Sequence, residues 1–134
     1  MSQENVERVL LGYGDWNRRD FDAVVEVFDP EIEWTMVGAT RFPGTEGTYY
    51  GHDGVREFWR LFIEPWAEFH IEVEETRAAG DLVVAFVRFH GEAREGLELE
   101  APFVHLLDFR HGRVVRFRSF DNRAEALEAA GLEE

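Results

Sequence analysis

The segment Trp66-Ala67-Glu68-Phe69-His70-Ile71-Glu72-Val73-Glu74 decides the fold, because its apolar side chains recur at every second position. Phe69, Ile71 and Val73 alternate with His70, Glu72 and Glu74, the pattern of a strand with one buried and one solvated face. The chain beyond it keeps that period. Gly80-Asp81 turns the chain, Leu82–Phe89 is rich in strong strand formers, Glu95-Gly96 supplies a second turn, and Leu97–Phe109 reads as a third long strand. Arg110-His111-Gly112 is expected to be a three-residue loop with the glycine left-handed, leading into a strand over Val114–Phe120. Four strands joined by short connections make an antiparallel meander.

Upstream the period is helical. Val6, Val9, Leu10, Tyr13 and Trp16 form one apolar face, which Asn17-Arg18-Arg19 ends. Asp20 stands where an N-cap belongs, ahead of a short second helix bearing Phe21, Val24, Val25 and Phe28 and closed by Pro30. Glu31–Val37 alternates again, with Ile32, Trp34 and Met36 on one side. Gly38–Gly51 contains four glycines and Pro43 and reads as a loop, whose Phe42, Tyr49 and Tyr50 either cover a cavity mouth or pack down. A third helix, capped by His52 or Asp53, carries Val55, Phe58, Trp59 and Phe62 and stops at Pro65. At the other end, Asn122 and Glu125 make a capping-box-like start to a helix over Arg123–Ala130, ended by Gly131. The whole of 1–134 is then one α+β domain, with its helices laid on one face of a curved sheet.

A net charge of −14 opposes binding to phosphate backbones and anionic lipid, so neither nucleic acid nor membrane is an expected partner. Arg110, Arg113, Arg116, Arg118 and Arg123 gather late in the chain, but alternate with apolar residues as the polar face of a strand does. With no cysteine there is no thiol nucleophile, disulfide or thiolate metal site. The start of the chain is polar and acidic, and no run approaches 18 apolar residues, so a cytoplasmic location is expected. Twelve phenylalanines, four tryptophans and three tyrosines are a large supply of bulk for this length. They either line a cavity left where helices incompletely fill a curling sheet, or form a solid core.

Several phrases, taken with the order of elements, resemble a known family. They are Tyr13-Gly14-Asp15-Trp16-Asn17-Arg18-Arg19-Asp20, Phe28-Asp29-Pro30-Glu31-Ile32-Glu33-Trp34, Tyr50-Gly51-His52-Asp53-Gly54-Val55-Arg56-Glu57-Phe58-Trp59, His111-Gly112-Arg113-Val114-Val115 and the ending from Asp121 to Leu132. The chain resembles the SnoaL-like branch of the nuclear transport factor 2-like superfamily, relatives of ketosteroid isomerases and polyketide cyclases. The resemblance implies a cone-shaped, cystatin-like fold, with a strongly curved mixed or antiparallel sheet wrapped around N-terminal helices. It also implies a homodimer through the sheet's outer face, and a pocket for an apolar molecule of polyketide, terpene or steroid size. Carried over from the steroid isomerases, the general base falls near Thr35, the oxyanion tyrosine near Gly12 or Tyr13, and the second oxyanion donor at His105. Threonine cannot serve as that base at neutral pH.

His105 lies in Ala101-Pro102-Phe103-Val104-His105-Leu106-Leu107, the most apolar setting of the five histidines. With Phe103, His105 and Leu107 facing inward, the three-residue loop places Phe117 opposite His105 and Ser119 opposite Phe103. His105 is the natural acid/base candidate, with Tyr13 as hydrogen-bond donor; a half-buried structural histidine is the alternative. Trp16, Trp34, Trp59, Phe103, Phe117 and Asp121 are the expected ligand contacts. If turnover occurs, isomerisation, cyclisation or hydration fits; otherwise the domain binds a ligand or a protein without chemistry. No histidine pair has zinc-site spacing and no glycine-rich phosphate loop precedes a helix, so neither metal nor cofactor is expected.

Overall fold

The computed structural model describes residues 2–37 and 44–132, and Phe42 lies outside them. Helix α1 (Ser2–Asn17) is followed by α2 (Phe21–Glu26), β1 (Phe28–Val37), β2 (Gly47–Tyr50) and α3 (Gly51–Ile63). Then come β3 (Trp66–Ala79), β4 (Leu82–Ala93), β5 (Glu98–Arg110), β6 (Arg113–Phe120) and α4 (Arg123–Ala130). Six strands form one open mixed sheet in the order β2-β1-β6-β5-β4-β3. The meander β3–β6 is antiparallel as its two-residue period requires, while β1 joins β6 in parallel.

Alternation divides the sheet into two faces. Val83, Ala85, Val87 and Phe89 of β4 and Ala101, Phe103, His105, Leu107 and Phe109 of β5 point inward, under the N-terminal helices. The intervening Val84, Phe86, Val104 and Leu106 point outward yet are buried, because Ala126 and Leu127 of α4 cover them. The helices are therefore not confined to one face: α4 packs on the outside, and burying Leu127 there contributes about 1.5–3 kcal/mol. Asn122 accepts from the Glu125 amide at 2.9 Å and Gly131 closes α4 in the left-handed region, as the sequence implies.

Four local readings are corrected. The second helix stops at Glu26, and Phe28 and Pro30 belong to β1. Between Phe28↔Val114 and Glu33↔Arg116 the β1–β6 register shifts, and Pro30, which has no N–H to donate, occupies that interruption. Gly47–Tyr50 is not loop but a short edge strand on β1. Helix α3 is capped by Tyr50 without a side-chain bond, and His52 Nε2 instead lies 2.9 Å from the Phe28 carbonyl. Lastly, the β5–β6 turn has two residues, with Arg110 paired to Arg113 and both His111 (φ 53°) and Gly112 (φ 79°) left-handed. That is the primed turn whose twist suits a hairpin. A bulge between Asp108 and Phe109 then sets His105 opposite Ser119, and Leu107 opposite Phe117.

The end of α1 is tied to the free edge of β3. Asn17 Nδ2 donates to the Ile71 carbonyl at 2.9 Å and its Oδ1 accepts from the Ile71 amide at 2.8 Å, as a further strand would. Arg19 donates to the Phe69 carbonyl at 2.6 Å while its guanidinium lies 3.7 Å from the Phe69 ring centroid. These contacts hold α1 across the open end of the sheet. Among the described residues no helix is long and apolar enough to cross a membrane.

Candidate functional site

Between α1 and the inner sheet face lies a cavity of about 100 Å³. Its wall is apolar almost throughout and draws on every layer: Trp16 from α1, Trp34 from β1, Trp59 from α3, Phe103 and His105 from β5, Phe117 from β6. Trp34 and Phe117 stack, with centroids 3.8 Å apart and planes at 16°. Trp59 meets Trp16 and Trp34 edge-on, so aromatic contacts fix the floor in both directions. The indole nitrogens of Trp16, Trp34 and Trp59 are buried with no acceptor within hydrogen-bond distance.

Apart from Ser119 and the partly exposed Arg8, one polar pair interrupts this wall. Tyr13 Oη and His105 Nδ1 are 2.6 Å apart, and the rings are nearly parallel at 17°. His105 is 8% exposed. Tyr13 keeps some surface, consistent with a ring that faces the cavity. Burial pushes the His105 pKa down to about 3 and the Tyr13 pKa up, so both groups are neutral around pH 7. Two neutral arrangements are open to them. Either Tyr13 donates to Nδ1 and Nε2–H is free, or Nδ1–H donates to Oη and the phenolic proton is free. In each, the pair uses one proton internally and keeps one donor for something else.

No carboxylate lines the cavity among the described residues. Thr35 faces the other way, with its hydroxyl 3.0 Å from that of Thr48, and the inward positions beside it are Trp34 and Met36. The place of the steroid-isomerase base is therefore empty of base chemistry. Asp121 lies just past the end of β6 and does not line the cavity, because the alternation that turns Phe117 and Ser119 inward stops at Phe120. The other candidates, Tyr13, Trp16, Trp34, Trp59, Phe103, His105 and Phe117, do surround it. Ser119 is buried opposite His105; a three-residue loop would put it one inward position away, and the two-residue turn together with the bulge beyond it corrects this. Tyr49 packs on Phe58 rather than over a mouth, and Tyr50 is exposed. Sequence reasoning missed Arg8 and gave Gly12 no role of its own, although both line the cavity; Gly12 stands one turn before Trp16, a spacing the sequence shows, while Arg8 reads as a surface partner of Glu4.

The enclosed space of about 100 Å³ is of the order that takes a single small ring once side chains adjust, and a steroid-sized molecule would need larger movements of the wall. The described residues do not bring three histidine or carboxylate side chains together where a metal could sit.

A conical α+β domain with a curved mixed sheet, its inner face closing over an aromatic cavity, is the architecture of the nuclear transport factor 2-like and ketosteroid isomerase-like folds. Within it, the SnoaL-like domain family matches residues 12–117, and the chain belongs to that family. An NTF2-like protein of unknown function from Burkholderia pseudomallei is 29% identical, with a TM-score of 0.81 over 93% of this chain and 95% of that one. TerC, co-crystallised with polyporic acid, is 25% identical with a TM-score of 0.81, covering 93% and 96%. A protein from Jannaschia sp. CCS1 proposed to be a SnoaL-like polyketide cyclase shares the fold at 21% identity, TM-score 0.76, covering 99% and 95%. No curated protein matches the chain.

Proposed function

We propose that the cavity binds a compact, mostly apolar organic molecule with an exposed acceptor oxygen, and that the Tyr13–His105 pair donates its spare hydrogen bond to that oxygen. The observation that carries this reading is the neutral pair at 2.6 Å set in a wall that is apolar almost throughout. A buried donor without an acceptor costs about 1–3 kcal/mol, so a bound carbonyl gains what the empty site forgoes. The co-crystal of TerC, a similar structure, with polyporic acid accords with an organic ligand here. Turnover, where it occurs, rests on polarising a carbonyl and passing a proton along the pair, which suits isomerisation or cyclisation. Proton abstraction by His105 is not part of the proposal: an imidazole of pKa about 3 is a feeble base. A homodimer belongs to the same proposal. The outer surface of β3–β5 carries an uncovered charged strip, Glu74–Arg88–Glu100, beside the stacked His70 and His90, and sedimentation equilibrium decides it.

Difference infrared spectroscopy with benzaldehyde tests the site. The wild type is expected to bind it and lower its carbonyl stretching frequency, and the Tyr13→Phe/His105→Phe double variant to bind it without that shift. Absence of binding at ten millimolar, or a carbonyl unshifted in the wild type, refutes the proposal.

A further inference from the structure

Among the described residues, Arg8 is the one charged side chain that lines the cavity. It is partly exposed, at 42%, so it stands where the cavity meets solvent. Its guanidinium is laid against the β5–β6 turn, with atoms 3.4 Å from where a Cβ on Gly112 would be. Its acidic neighbour, Glu4, is one turn back on α1 at 3.9 Å, a separation at the limit of an ion pair and between two well-exposed groups. Such a pair is worth little and yields readily to a better-placed anion. Across that turn Arg110 pairs with Arg113, each one residue from the inward Phe109 and Val114 and so turned to the outer face, which leaves Arg8 as the cation on the cavity side. In a chain of net charge −14, Arg8 sets a cation at one end of an apolar cavity.

Gly12 supplies the second, independent feature. It sits one turn beyond Arg8 in the middle of α1, where a glycine costs roughly 1 kcal/mol relative to alanine. Nothing crowds it: a Cβ built there meets no atom within 4 Å. The glycine is thus not required by close packing, and it lines the cavity. It leaves open space on the helix face one turn from Arg8.

We infer that the ligand enters beside Gly12 and is an organic acid, its anionic group held by Arg8 at the mouth and its apolar body inside. This rests on the ligand-binding reading above and narrows it to a substrate class. Arg8 and Tyr13 are five residues apart, roughly 7.5 Å along the helix axis. A ligand of about one ring in length matches that axial separation. The anion stays at the rim, where water still reaches it, so the apolar interior is not asked to desolvate a charge.

Benzoate and benzamide, nearly equal in shape and different in charge, separate the possibilities by isothermal titration calorimetry up to ten millimolar. Wild type is expected to prefer benzoate by about five- to tenfold, with the preference shrinking as salt rises. Arg8→Gln should abolish the preference while leaving benzamide affinity unchanged, and Arg8→Lys should restore part of it. Glu4→Gln should strengthen benzoate alone. Gly12→Leu should weaken both ligands, by obstructing that open space, with far-ultraviolet circular dichroism confirming an intact fold. Equal affinity for the two ligands in the wild type, or a benzoate preference that survives Arg8→Gln, overturns the role of Arg8 and leaves the cavity reading standing. Binding of neither ligand removes both.

Discussion

Replacing His105 with asparagine should flatten the dependence of stability on pH, and the size of the effect is set by its burial. In the unfolded chain the imidazole titrates near 6.5, whereas in the fold desolvation holds it at about 3. Below pH 6.5 the unfolded state takes up a proton that the folded state refuses, so acid favours unfolding. The contribution is fully present above pH 6.5 and is lost as pH falls towards 3. The slope for one proton is about 1.4 kcal/mol per pH unit, so lowering the pH from 7 to 4.5 removes about 2.7 kcal/mol on account of this residue. Asparagine does not titrate, and its amide oxygen can still accept from Tyr13. Whatever the substitution costs at pH 7 is subtracted out by comparing each protein with itself. Urea unfolding followed by tryptophan fluorescence at pH 7 and pH 4.5 supplies the four free energies. All other groups are common to both proteins and cancel in the difference of differences. The variant should lose about 2–3 kcal/mol less than the wild type over this interval. An equal loss in both refutes the claim that the Tyr13–His105 pair is buried and neutral, and with it the donor role proposed for the cavity.

Three further substitutions test the fold around the site. Asn17→Leu removes both hydrogen bonds to Ile71 and should cost about 2 kcal/mol in urea unfolding, with the Ile71 amide losing protection in hydrogen exchange. Gly91→Ala would put a methyl 2.6 Å from Phe89 and 2.8 Å from Trp66 across a packed strand pair; overpacking of this kind costs about 1–3 kcal/mol and should lower the thermal midpoint. His111→Asn goes the other way, because asparagine tolerates the left-handed φ of 53° better than histidine and makes the favoured Asn-Gly pair, so a gain of a few tenths of a kcal/mol is expected.

The long elements were legible because burial imposes a period on them. Strand β3 shows its two faces in Phe69, Ile71 and Val73 against His70, Glu72 and Glu74, and the family resemblance is likewise carried by contiguous phrases. The readings that failed depended on contacts with no local trace. Pro30 looks like a helix stop, yet it occupies a gap in a parallel pairing whose partner, β6, lies more than 80 residues away. The placing of α4 on the outer face depends on Val84, Phe86, Val104 and Leu106 being apolar as well as their inward neighbours, so that β4 and β5 read as continuous apolar runs. Such a run says that both faces are covered without saying by what.

The site divides in the same way. His105 stands out because a histidine among apolar strand residues is anomalous in one dimension, and its partner Tyr13 is reachable only through the resemblance. Their 2.6 Å contact joins residues 92 apart and fixes what each can do: neither can hold a charge, so each can only share a proton with the other or lend one to a ligand. Arg8 carries no such mark in sequence, since an arginine four residues after Glu4 reads as an ordinary surface helix pair. It becomes informative only once the chain has curled α1 over the sheet and left open space at Gly12, one turn away. The neutral pair inside and the cation at the rim then require opposite things of a ligand, an uncharged acceptor at one end and an anion at the other. A molecule that satisfies both is oriented by the cavity before any contact with the aromatic walls is counted, and that is why the charge of the probe, more than its shape, is the variable to change.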